Sequence, residues 1–102
     1  NQSYTYDQLD MMAAYNDLHL LYIEEPFSMT NLTTYKAWKE SLPNWPITTS
    51  ICLDESILSY DDLSYAIEYR LIDVLNVKVG RLGGLIQTRA AILRCREAGI
   101  PY

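Results

Sequence analysis

The sequence predicts an α/β fold, part of a TIM-type (β/α) barrel made of about three consecutive parallel βα units. Three observations carry that expectation. Helix-like and strand-like segments alternate along the whole chain. The strand-like segments are apolar throughout instead of at alternate positions, the pattern of parallel strands covered on both faces. Each is followed at once by polar residues capable of chemistry, as at the C-terminal rim of a barrel, and the GxGxxG fingerprint of a doubly wound dinucleotide-binding sheet is absent.

The elements follow in order. Thr5 and Gln8 have capping-box spacing, and Leu9, Met12 and Ala13 recur at helical period, so a helix is expected over residues 6–17. Leu20-Leu21-Tyr22-Ile23 predicts a buried strand that stops at two acids and Pro26. A second helix is expected over residues 31–41, with Leu32, Tyr35 and Leu42 on one face, before a loop marked by Pro43 and Pro46. Ile51-Cys52-Leu53 predicts the next strand. Ser59 and Asp62 then suggest a cap for a third helix carrying Leu63, Ala66, Ile67 and Leu71. Val74, Leu75 and Val77 mark a third strand within residues 73–78. Gly80, Gly83 and Gly84 form a flexible connection to a last helix. Its inner face is expected to hold Leu82, Ile86, Ala90 and Leu93, with Arg89, Arg94 and Arg96 outside and Gly99 as the residue that ends it.

Composition narrows the function classes. With a net charge of −5 and a pI near 4.6 the chain has no basic patch to meet a phosphate backbone, so nucleic-acid binding is not expected. No apolar run approaches the roughly 18 residues of a membrane span, and no signal peptide opens the chain. Cys52 and Cys95 form no CxxC pair, and each lies in an apolar segment. Two buried, reduced thiols in a cytoplasmic protein are expected. The chain opens on a turn-like Asn1-Gln2-Ser3 without an initiator Met and stops at Gly99-Ile100-Pro101-Tyr102, where a further strand is expected to begin. We therefore expect residues 1–102 to be a piece of a longer protein.

The chemistry sits just past the strands. The first is followed by Glu24-Glu25, the second by Asp54-Glu55 and the third by Lys78. In a parallel barrel these ends gather on one face. Two carboxylates there can hold a hard divalent cation such as Mg²⁺ through oxygen ligands. A lysine beside them can act in proton transfer if its pKa is lowered. The cation would stabilise an enolate formed by removing a proton next to a carboxylate. Singly, an acid after a strand is more often a helix cap and a lysine more often a solvated charge. Three such residues in successive units are harder to dismiss.

The residues around these positions resemble a known family. Tyr22-Ile23-Glu24-Glu25-Pro26 is similar to the IE(E/Q)P motif of the enolase superfamily, in its muconate-lactonizing-enzyme-like branch. Cys52-Leu53-Asp54-Glu55-Ser56 resembles the LDES motif. The run from Asn76 to Gly84, NVKVGRLGG, resembles the NxKxGRxGG motif of o-succinylbenzoate synthases and N-acylamino acid racemases, and Gly99-Ile100-Pro101 resembles the GIP that leads into the next strand. The three site motifs occur in family order and the resemblance covers nearly the whole chain, which would make it a fragment of the C-terminal barrel domain.

The resemblance implies roles residue by residue. Glu24 and Asp54 would be ligands of Mg²⁺, with Mn²⁺ possible, and Lys78 would be one of two lysines flanking the reacting carbon of a small-molecule carboxylate substrate. In a synthase Lys78 would act less as a base than as a cation beside the substrate; in a racemase it would exchange a proton on one face of the α-carbon. Glu25, Glu55 and Asn76 would have supporting roles, and Glu25 is often Gln in relatives. Arg81 is either a surface charge or a positive group that helps Lys78 serve as a base. Of the family's DxN motif, only what looks like the Asn is present, as Asn1. Its Asp, the KxK lysine, the last strands of the barrel and the capping domain lie outside the chain. The stretch Leu42–Ser50 is longer than usual, on the face away from chemistry.

The remaining features have plainer readings. His19 lacks a partner at metal-ligand spacing, and the nine tyrosines are expected to pack rather than to stack on bases. Trp38 and Trp45 are expected to pack the proline loop onto a helix, and Met11 and Met12 to pack their own. The arginines of the last helix are most simply a solvated face, with a homo-oligomer contact as the other option. Two rivals stand beside the synthase and racemase readings. One is an inactive fragment that only self-associates through open strand edges. The other is a dipeptide epimerase or muconate cycloisomerase, against which the GRxGG after Lys78 argues.

Overall fold

A computed structural model describes residues 2–29 and 31–102. The expected role of Asn1 lies outside the described residues. Three parallel strands form one open sheet in the order β1-β2-β3: β1 is Ile23–Glu24, β2 is Ile51–Leu53 and β3 is Val74–Leu75. The register pairs Ile23 with Ile51, Glu24 with Cys52, Cys52 with Val74, and Leu53 with Leu75. The helices are α1 (Leu9–Ala13), α2 (Leu32–Ser41), α3 (Tyr60–Glu68) and α4 (Leu85–Ala98). Each strand is followed by a helix, as the alternating sequence pattern requires.

Local chemistry sets the helix starts. The Asn31 side chain accepts from the Thr34 N–H at 2.9 Å and begins α2. Ser59 Oγ accepts from the Asp62 N–H at 3.1 Å, while Asp62 Oδ2 accepts from the Leu58 N–H and the Ser59 hydroxyl. That reciprocal arrangement satisfies amide donors at the start of α3 that have no partner inside the helix. Gly84, at φ 102°, precedes α4, and its carbonyl accepts from both the amide and the hydroxyl of Thr88. Gly99, at φ 71°, ends α4 in the left-handed region, where a residue with a Cβ is disfavoured.

The core lies between the sheet and the helices. It includes Ile51, Leu53 and Leu75 from the strands, Leu32 and Tyr35 from α2, Leu63 and Ala66 from α3, and Ala91 and Cys95 from α4. Phe27, Tyr35 and Trp45 form a ring triangle with centroids 5.0–5.9 Å apart, and Trp38 stands edge-on to Phe27. The long loop before β2 is thereby fastened onto α2. It is also held by Asn16, whose side-chain oxygen accepts from the amides of Thr48 and Thr49 and whose side-chain nitrogen donates to the Pro46 carbonyl.

The structure corrects three expectations. The segment expected as one helix over residues 6–17 is a short α1 between two 3₁₀ turns, Tyr6–Gln8 and Ala14–Leu18, and it ends at His19 in the left-handed region. The Asn16 side chain is committed to the loop there, in a segment too short for cooperative α-helix. Leu20-Leu21-Tyr22 is not a buried strand: Leu21 is 85% exposed, and β1 begins only at Ile23. The backbone amides of Thr48 and Thr49 bond to Asn16 instead of extending the ladder below Ile51.

The third correction concerns α4, whose inner face is Thr88, Ala91 and Cys95. Ile86 and Leu93, expected inside, are exposed, at 84% and 41%. Small side chains take the buried positions of this helix, and larger apolar ones such as Leu85 and Ile86 are left on the outside. Beyond α4, Pro101 carries its carbonyl to the Leu75 N–H at 3.0 Å, so the chain after Gly99 runs beside β3. No helix among the described residues is long and apolar enough to cross a membrane.

Candidate active site at the strand ends

Side chains alternate across a strand, and paired residues of neighbouring strands share a face. The register therefore puts Glu24, Cys52 and Val74 on the face of the sheet away from the helices, and Tyr22, Asp54, Asn76 and Lys78 lie just outside the strands that carry them. Tyr22, Cys52 and Val74 make a lower layer. With Asn76 and Tyr102 they line a groove of about 640 Å³. The residues capable of chemistry make the layer above it, at the C-terminal ends of the strands.

Two pairings organise that upper layer. Asn76 Nδ2 donates to Glu24 Oε1 at 2.9 Å, bridging the ends of β1 and β3 across β2. Asp54, fully buried, is held at both oxygens: Lys78 Nζ donates to Oδ2 and an Arg81 guanidinium nitrogen donates to Oδ1. Arg81 reaches back because residues 78–84 form a turn, in which the Lys78 carbonyl accepts from the Arg81 and Leu82 amides. Lys78 remains half-exposed and Glu24 is exposed, so this layer is open to a ligand.

Glu25 points the other way. It is completely buried and sits at φ 33°. Its Oε2 accepts from the Asp54 N–H at 2.7 Å, and its Oε1 accepts from the Ser56 hydroxyl and, at 3.5 Å, from Gln2 Nε2. Glu55 follows Asp54 and is half-buried; its Oε2 is buried with no hydrogen-bond partner among the described residues. Cys52 lies below these acids. Burial first, and then the charges of Glu24, Asp54 and Glu25, push its thiol up to about 11. Cys52 and Cys95 are both buried and both free of a disulfide.

The structure thus brings Asp54, Lys78 and Arg81 into direct contact and joins Glu24 to Asn76. Glu25 acts on the backbone of Asp54 rather than at the open face. Two participants went unassigned in the sequence. Ser56 stands inside the LDES-like motif, and its signal was its place two residues after Asp54. Gln2 gave no signal, because its contact with Glu25 spans 23 residues.

Hard carboxylate oxygens on one open face are the donors that Mg²⁺ or Mn²⁺ takes. Asp54 already gathers two cationic groups, so the position is one where positive charge collects. Among the described residues no cluster of three or more acidic, His or Cys groups is assembled. Glu24 and Asp54 carry carboxylates of that kind, one exposed and one buried against Lys78 and Arg81.

Three parallel strands backed by helices, with the reactive groups beyond their C-terminal ends, define a segment of (β/α)-barrel architecture. Residues 1–102 match the family described as enolase C-terminal domain-like, and the chain belongs to that family. It is 36% identical over 101 residues to an o-succinylbenzoate synthase of Geobacillus stearothermophilus, covering 99% of this chain and 26% of that protein. It is 32% identical over 101 residues to an N-succinylamino acid racemase of an Amycolatopsis species, with the same coverages of 99% and 26%. Among solved structures, a probable mandelate racemase from Alicyclobacillus acidocaldarius matches with a TM-score of 0.81 and 30% identity, over 98% of this chain and 25% of that one. The chain spans about a quarter of the length of the curated relatives it matches.

Proposed function

We propose that this chain is part of the C-terminal barrel domain of a cytoplasmic, Mg²⁺-dependent enzyme that removes a proton α to a carboxylate. Its main activity in this reading is o-succinylbenzoate synthesis, a dehydration serving menaquinone biosynthesis. What supports the reading is that Glu24 ends β1, Asp54 directly follows β2, and Lys78, beyond β3, donates to Asp54.

Glu24 and Asp54 would hold the cation, which supplies positive charge against the negative charge that builds on the substrate carboxylate as its α-proton leaves. The chain's own residues do the rest. Lys78 Nζ stands beside Asp54 on the open face, where it can turn toward a small carboxylate substrate. As it turns, Arg81 stays on the other Asp54 oxygen, so the buried carboxylate keeps a counter-ion. Asn76 fixes the direction of the exposed Glu24 carboxylate. In the synthase Lys78 serves as a cation beside the substrate, the α-proton passes to a base outside residues 1–102, and water leaves as the carbon–carbon double bond forms.

N-acylamino acid racemisation is the second reading, favoured by relatives named N-succinylamino acid racemase at 32% and 33% identity. Lys78 would then move a proton on one face of the α-carbon. Assays of the full-length enzyme with Mg²⁺, on the synthase substrate and on N-succinyl amino acids, decide between them. Dehydration lost in Lys78→Ala is the expected result. Racemisation without dehydration selects the second reading, and turnover of neither substrate removes both.

A further inference from the structure

We propose that Glu25 is a positioning residue that fixes the Glu24 and Asp54 carboxylates relative to each other, and so sets the affinity of the site for a divalent cation. The inference rests on the reading of Glu24 and Asp54 as ligands given above.

The geometry is that of a clamp. Glu25 follows Glu24 directly, so whatever holds its backbone also holds Glu24. Its N–H donates to the Cys52 carbonyl at 2.8 Å and its carbonyl accepts from the Gln2 N–H at 2.6 Å, which pins it between the neighbouring strand end and the N-terminal segment. Its positive φ turns the side chain away from the open face and under the end of β2. A non-glycine residue held there costs about 1–2 kcal/mol, and the surrounding bonds hold it in place.

The side chain completes the clamp. Oε2 takes the Asp54 amide at 2.7 Å, and Oε1 takes the Ser56 hydroxyl and the Gln2 amide nitrogen. The peptide that carries Asp54 is thereby tied on both sides to the residue next to Glu24. No Lys or Arg pairs with Glu25 among the described residues, so its buried carboxylate rests on hydrogen-bond donors alone. Groups that orient metal ligands from behind in this way affect affinity strongly even though they touch no metal.

Hydrogen-bond inventory separates geometry from charge. A glutamine at residue 25 can present its oxygen to the Asp54 amide and its NH₂ to Ser56 Oγ, because a hydroxyl accepts as readily as it donates, and the Gln2 amide can rotate to match. A glycine keeps the backbone turn, which suits its φ, and removes the clamp.

The test compares Glu25→Gln and Glu25→Gly in the full-length protein. Mn²⁺ affinity is measured by calorimetry, and protection of the Asp54 amide by hydrogen exchange. We expect Glu25→Gly to weaken Mn²⁺ binding by about 10- to 100-fold and to expose the Asp54 amide to exchange. Glu25→Gln should stay within about threefold of wild type with the amide still protected. Wild-type affinity in Glu25→Gly overturns the proposal, and so does equal loss in both variants, which would assign the effect to charge. If the wild type binds no Mn²⁺, the ligand reading fails by itself and amide exchange decides the clamp: protection lost only in Glu25→Gly supports it, and unchanged protection overturns it.

Discussion

The two faces of this small sheet are made of adjacent residues and do opposite work. Ile51, Leu53 and Leu75 face the helices and are buried among apolar side chains. Glu24, Asn76 and Lys78 face the other way, remain accessible, and bond to each other's strands through polar side chains. One step along a strand moves a side chain from the packed face to the polar one, because the side-chain period is two. Stability and reactivity can therefore be altered independently at neighbouring positions.

The sharpest break should come on the reactive face. Under the proposed function, Lys78→Ala in the full-length protein should lower kcat by about 10²- to 10³-fold, the range for removing a group that stabilises transition-state charge, with little change in Tm. Initial rates and a thermal melt of the same preparation check both halves. Leu53→Ala, on the packed face one residue from Asp54, should cost about 2–5 kcal/mol of stability, read from the urea midpoint. If that variant lost activity per folded molecule as completely as Lys78→Ala, the separation of the faces would be wrong.

Smaller effects sharpen the packed side. Ser59→Ala removes the cap of α3 and should cost about 1 kcal/mol, with rates unchanged. Cys95 is buried in the core, and burial, only partly opposed by Arg94, raises its thiol pKa. The folded chain therefore holds this proton more tightly than the unfolded one. The resulting stability is complete below the ordinary thiol value and is lost as pH rises through the raised one. The urea midpoint of the wild type should accordingly lose ground to that of Cys95→Ala as pH rises from 8 through the thiol range.

Much of this layout was legible in the sequence where short-range chemistry decides it. The cap at Ser59, the helix beginning near residue 31 and the apolar run of β2 were visible as local patterns, as were acids and a lysine near the ends of successive strands. What was not legible depends on distant partners. Leu20 to Tyr22 look like a strand, but the ladder they need is taken by Asn16, more than 30 residues from Thr48. On α4 the buried residues are Thr88, Ala91 and Cys95, which are less apolar than the exposed Leu85, Ile86 and Leu93. Hydrophobic periodicity therefore pointed to the wrong side. In the candidate site, family-like motifs marked Glu24, Asp54 and Lys78. The bonds from Glu25 to Asp54 and Ser56 join residues 29 and 31 apart, and no sequence spacing reveals them.

The most direct test of the central claim is turnover of the synthase substrate by the full-length protein in D₂O, followed by NMR for loss of the α-proton and of water. The account predicts dehydration that requires Mg²⁺ or Mn²⁺, stops in chelator, and is lost in Lys78→Ala. Dehydration that persists without a divalent cation, or that proceeds at the wild-type rate in Lys78→Ala, would contradict it.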